Sequence, residues 1–175
     1  MLVLVFVLVA AVATVLFLAS RRPDTIRIVR EIGIAAPIEK VFGQIQDLHA
    51  FNVWNPWVKM DPEIRLTYRG PQAGVGAVSA WTSQKVGEGS MEIVGVEAPR
   101  RVEIRLDFVK PFAATNQARF VLEPADAGTR VRWEMEGKAL FIQRVMGLFF
   151  DVEKMMGKNF EDGLGELKRI AEQQA

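Results

Sequence analysis

The chain has 175 residues, half of them hydrophobic, with 22 basic and 21 acidic side chains, one histidine and no cysteine. Near-neutral, mixed charge excludes the basic footprint of a nucleic-acid binder. The lack of thiols excludes disulfide frameworks and thiolate chemistry, and with one histidine it leaves no zinc site of the usual ligand types.

Residues 1–20 carry no charge and only two hydroxyls, Thr14 and Ser20, and they end at Arg21-Arg22. Twenty helical residues reach about 30 Å, the thickness of a bilayer's hydrocarbon core, so the run is expected to be a single transmembrane anchor. A cleaved secretory signal normally shows a basic start, a shorter apolar core and a small-x-small cleavage site. Ala11-Val12-Ala13 has suitable sizes, but a cut there would leave Val15, Leu16, Phe17 and Leu18 exposed. No polar face interrupts the run, as a buried core helix would require. Arg21, Arg22, Arg27 and Arg30 all follow the span. Basic flanks stay on the cytoplasmic side, so the following domain is placed there. Residues 21–24 read as a juxtamembrane linker and 25–175 as one domain of ordinary size.

From Thr25, Ile26, Ile28, Ile32 and Ile34 recur at even spacing, the period of a strand with one buried face. Pro37 stops it, and Ile38, Val41, Phe42, Ile45 and Leu48 then follow helical spacing. Between His49 and Pro62, Phe51, Trp54 and Trp57 lie among Asn52, Asn55, Pro56 and Pro62, which predicts a second short helix or turn and then a loop. Six alternating segments follow: Ile64 to Arg69, Gly76 to Gln84, Gly87 to Val96, Arg101 to Val109, Thr115 to Glu123 and Thr129 to Lys138. Their links are short and rich in turn residues, which predicts an antiparallel sheet of hairpins. Val102, Ile104, Leu106 and Phe108 oppose Arg101, Glu103, Arg105 and Asp107, and Val131, Trp133 and Met135 oppose Arg130, Arg132, Glu134 and Glu136. One face is therefore wet and the other apolar.

From Ala139 to Gln173 helical spacing returns through Ile142, Val145, Met146, Phe149, Val152, Met156, Phe160, Leu164, Leu167 and Ile170. Gly147, Gly157, Gly163 and Gly165 weaken the helix, and a break is expected near Gly147 to Asp151. The segment 139–150 is too apolar for one helical face, so some of its rings must point away from the sheet.

The fold class is thus α+β: a strand, two short helices, six antiparallel strands and a long C-terminal helix, preceded by one transmembrane helix. That order resembles the helix-grip fold of START-like proteins. Its landmarks are Ala36-Pro37-Ile38-Glu39-Lys40-Val41-Phe42, Trp54-Asn55-Pro56-Trp57, Gly74-Val75-Gly76-Ala77, Gly87-Glu88-Gly89-Ser90-Met91-Glu92-Ile93, Lys110-Pro111-Phe112, Gly128-Thr129-Arg130-Val131 and Asn159-Phe160-Glu161-Asp162-Gly163-Leu164. In that order they are similar to the SRPBCC superfamily, and within it to the polyketide cyclase/dehydrase-like group, over residues 25 to 172. The resemblance implies a curved sheet gripping the long helix around a cavity for an apolar small molecule. It implies no reaction.

His49 sits where the first helix should end, where a cationic ring suits the helix dipole, and it has no placed catalytic partner. Gly70, Gly74 and Gly76 join two strands and read as a turn, because no helix follows to offer a phosphate its N-terminus. Strand parity sends Glu103, Asp107, Glu134 and Glu136 to the charged face. Glu92 is ambiguous, flanked by Met91 and Ile93 on one parity and sharing the other with Val94 and Val96. Turned inward, it would be an acid or base candidate, with Asn116 and Tyr68 as polar companions. Asn116 shares parity with Ala118, Phe120 and Leu122, so its amide points into the cavity or serves nearby backbone.

The rings of Trp54, Trp57, Tyr68, Trp81, Phe108, Phe120 and Trp133 either line a ligand cavity or fill a core. With Asn116, Ala118, Met135, Met146, Phe149 and Met156 they make the candidate binding set. The expected function is a membrane-tethered binder of a hydrophobic small molecule or lipid, with no cofactor and no metal. The alternatives are a cyclase or dehydratase on the same scaffold, and an interaction domain with a filled core working through Leu140 to Phe150.

Overall fold

A computed structural model describes residues 2–173. The uncharged start forms α1 (Leu2–Ser20), and even its hydroxyls bond within the helix: Thr14 Oγ1 donates to the Ala10 carbonyl at 2.8 Å and Ser20 Oγ to that of Phe17 at 2.7 Å. Apart from Ala19 at its foot, α1 buries almost none of its surface. Among the described residues it is the one helix long and apolar enough to cross a membrane, a test that a signal sequence also passes.

β1 (Thr25–Ile34) buries Ile28 and Ile34 and ends ahead of Pro37, whose φ of −59° and ψ of 145° set the entry to α2 (Ile38–Gln46). Val41, Phe42 and Ile45 form the buried side of α2. Asp47 leaves the helical region, and its carboxylate accepts from the N–H groups of His49 and Ala50, starting α3 (Leu48–Trp54). His49 therefore lies in the first turn of the second helix and not at the end of the first. Asn55 repeats the device. Its Oδ1 accepts from Trp57 N–H at 3.1 Å, with Pro56 at the first helical position, and α4 (Pro56–Met60) follows. Three short helices thus stand where two were expected. Asn-Pro, read as an interruption, is also how a new helix begins.

The strands are β2 (Arg65–Arg69), β3 (Val78–Ser83), β4 (Gly87–Glu97), β5 (Arg101–Lys110), β6 (Ala114–Ala125) and β7 (Gly128–Lys138). With β1 they form one antiparallel sheet in the order β1-β7-β6-β5-β4-β3-β2. Every link from β2 to β7 is a hairpin, whereas α2 to α4 carry the chain from one edge of the sheet to the other. Register shifts interrupt β4 against β5 at Glu88/Gly89 and at Ile93/Gly95, and such bulges sharpen the bend of a sheet. The outer face carries the expected charges, including Arg105 with Asp107 at 2.9 Å and Arg132 with Glu134 at 2.8 Å.

The C-terminal segment breaks where its glycine predicts, into α5 (Phe141–Met146) and α6 (Val152–Gln173). α6 lies against β1 and the short helices, and its Phe160, Leu164, Leu167 and Ala171 are buried at steps of four, three and four. Gly163 allows the close approach. A Cβ there would stand 3.0 Å from Pro56 Cδ and 3.1 Å from Trp133 Cζ3. α5 packs instead beside α1.

Candidate ligand-binding cavity

Between the inner face of the sheet and α6 the packing leaves a cavity of about 320 Å³. Inward parity supplies most of its wall: Ile104, Leu106 and Phe108 from β5, Ala114, Asn116, Ala118 and Phe120 from β6, and Trp133 and Met135 from β7. β3 adds Ser79 and Trp81, α4 adds Trp57 and Val58, and α6 adds Val152, Met156 and Phe160. Its charged members are Lys110, which binds Glu88 at 2.8 Å, and Lys138, and no aspartate, glutamate, arginine or histidine lines it among the described residues.

Trp133 is the floor. Its ring stacks on Phe120 at 4.9 Å and on Phe160 at 4.0 Å, and Trp54 and Trp57 meet it edge-on at 5.7 and 6.0 Å. Offset and edge contacts of this kind add to the burial energy of large rings and fix the floor's shape. Trp81 borders the other side, edge-on to Phe108 at 5.8 Å. Its indole lies over Gly89, where a Cβ would come within 2.8 Å of Cη2, so a larger residue at 89 would push the ring into the cavity.

A small polar group is set into the apolar wall. Asn52 Nδ2 donates to Ser79 Oγ at 2.9 Å and to Tyr68 Oη at 3.1 Å, while Asn52 Oδ1 accepts from Asn55 Nδ2 at 3.1 Å. Asn52, Asn55 and Ser79 are all buried, and each is bonded as buried polar groups require. Asn116 is placed differently. It stands opposite Gly137, whose missing side chain makes room for its carboxamide, and its Nδ2 has the Met135 sulfur as partner at 3.8 Å. That is a weak bond, so the amide is held in the wall without being consumed by local backbone.

Of the thirteen binding residues expected, the cavity wall includes Trp57, Trp81, Phe108, Asn116, Ala118, Phe120, Trp133, Met135 and Met156. The other four lie elsewhere. Trp54 is fully buried behind the floor, where its Nε1 donates to the Gln44 carbonyl at 3.0 Å. Tyr68 forms a second layer, stacked on His49 at 3.7 Å. Met146 and Phe149 are exposed on and just after α5, because the chain breaks before α6 begins.

Glu92 corrects the acid/base expectation. It points outward and binds Arg105 at 2.6 Å, while Met91 and Ile93 turn in. The bulge between Ile93 and Gly95 reverses the parity, so Val96 packs inward although Glu92, two pairs earlier, does not. Asn52, Asn55 and Ser79 were missed as site residues. Ser79 shares parity with Trp81, and Asn52 and Asn55 are three apart, one helical turn, once a helix is recognised there.

Residues 25–172 match the family described as polyketide cyclase/dehydrase and lipid transport. The chain belongs to that family. Solved structures with this fold include MLL2253 of Mesorhizobium loti, 17% identical over 86% of this chain and 99% of that one, with a TM-score of 0.63. Protein BH1534 of Bacillus halodurans is 18% identical over 86% of this chain and 100% of that one, at 0.61. CV1439 of Chromobacterium violaceum is 18% identical over 86% and 99%, at 0.60. At these identities the likeness shows the shared architecture. No curated protein matches the sequence significantly.

Proposed function

We propose that this family member is a membrane-tethered binding protein for a hydrophobic small molecule or lipid, held between the sheet and α6 without a cofactor. Residues 1–20 are the anchor, 21–24 the linker, and the domain beyond them lies on the cytoplasmic side. The observation that carries the reading is the cavity itself: about 320 Å³, at the lower end of small-molecule sites, walled mainly by aromatic and aliphatic side chains. The lipid-transport part of the family's description supports it. Binding is favoured over a cyclase or dehydratase reaction because Glu92 faces Arg105, and the amides and hydroxyls around Asn52 bond to one another.

A lipophilic probe whose fluorescence rises in apolar surroundings tests the claim. Wild-type protein should take it up, and Ala118→Phe should abolish uptake while unfolding at nearly the wild-type denaturant concentration. If the cavity were instead closed core, wild type would show no uptake and Ala118→Phe would cost about 1–3 kcal/mol through overpacking.

A further inference from the structure

At the foot of α1 a second hollow of about 550 Å³ runs between the linker and the α5 segment, and it shares Ile26, Gln143 and Val152 with the wall of the inner cavity. Its basic groups are Arg22, Arg27 and Arg144, and its acidic ones are Asp151 and Glu153. Of these acids only Glu153 is paired with a base among the described residues. Glu153 binds Arg30 at 2.8 Å, and Asp151 Oδ1 accepts from Lys154 N–H at 3.0 Å. Arg27 lies 3.7 Å from Glu134. Arg22 and Arg144 form no ion pair and donate no side-chain hydrogen bond among the described residues; the Arg144 guanidinium lies over the Phe141 ring at 5.2 Å, with its Nε buried and without a hydrogen-bond partner. Close packing brings them to one place: Arg22 Nη1 would lie 3.1 Å from a Cβ on Gly147, three residues after Arg144. Phe149 and Phe150 beside them are 67% and 64% exposed.

We propose that this hollow holds the anionic phosphate headgroup of a membrane lipid whose acyl chain passes over Ile26 and Val152 into the inner cavity. The proposal rests on the hydrophobic-ligand reading and adds a headgroup class to it. Guanidinium groups bind phosphate through paired, charge-assisted hydrogen bonds, and two with unspent donors at the foot of an apolar span face the depth where headgroups lie. The exposed rings supply the apolar contact that an interfacial surface needs.

The test uses the full chain in neutral detergent and two fluorescent lipids with identical acyl chains, phosphatidylglycerol and diacylglycerol, which lacks the phosphate. The anionic lipid should bind at least about tenfold more tightly, the factor expected from one charge-assisted hydrogen bond. Arg22→Gln with Arg144→Gln should erase that preference, while Arg21→Gln, whose side chain lies over Phe17 outside the hollow, should keep it. Equal affinities in wild type overturn the proposal, and so does an equal loss in Arg21→Gln, which would mean diffuse surface charge. Displacement of the lipid by millimolar inorganic phosphate would make this a free-phosphate site and also overturn it. A headgroup-free apolar probe, expected to bind every variant, separates the two claims: if the lipid preference is absent while the probe still binds, only the headgroup site has failed, and if the probe binds none, the cavity reading has failed.

Discussion

Asn52 has few equals among the residues of the cavity wall, because three partners depend on its one carboxamide. Its Nδ2 serves Ser79 and Tyr68, and its Oδ1 accepts from Asn55, all at 2.9 to 3.1 Å inside the protein. Truncation would leave buried hydroxyl and amide groups without partners, and each costs more than the bond itself was worth. Asn52→Ala should therefore lower stability by about 1–3 kcal/mol in urea unfolding, whereas a surface change of equal size shifts it by about 0.5 kcal/mol or less. A loss within that surface range would show that water replaces the amide. The same residue marks a limit of sequence reading. An asparagine in a stretch broken by prolines looks like loop, and its burial depends on α3 folding back beneath β3, which strand parity cannot report.

At the scale of elements, local pattern was legible wherever one period ran unbroken. β5 and β7 kept their expected inner and outer faces, and the break before α6 fell at the glycine that invited it. It failed where geometry shifts the period. The bulge in β4 brought Val96 inward while Glu92, of the same parity, stayed on the outer face, and the helix break carried Met146 and Phe149 away from the cavity. The contact between α4 and α6 gives an element-level prediction. Glu166 of α6 accepts from Arg169 on its own helix and from Lys59 of α4 at 3.0 Å, and these bonds hold its carboxyl down to about 2. A carboxyl whose folded pKa is depressed stabilises the fold above its unfolded value of about 4.3 and loses that contribution as pH falls toward the folded value. Lys59→Met should thus be less stable than wild type above about pH 5, with the gap closing as pH falls through 4 toward 2. A gap that stays constant over that range in denaturant titrations would mean the ion pair does not tie α4 to α6.

For the whole molecule, the arrangement is a grip fold attached through α5 to the foot of an apolar helix. The antiparallel sheet and the long helix over its apolar face were legible from the order of elements, because alternation and helical spacing each fix which side is buried. The cavity between them was implied only by the family resemblance, since identical parity serves a filled core equally well. Its contents are the central question. Native mass spectrometry of the full chain, extracted in detergent and released in the gas phase, addresses it directly. The account predicts one lipid-sized adduct per protein in wild type and none in Ala118→Phe, where the added ring occupies the space. Identical adduct-free spectra for both proteins would contradict the account.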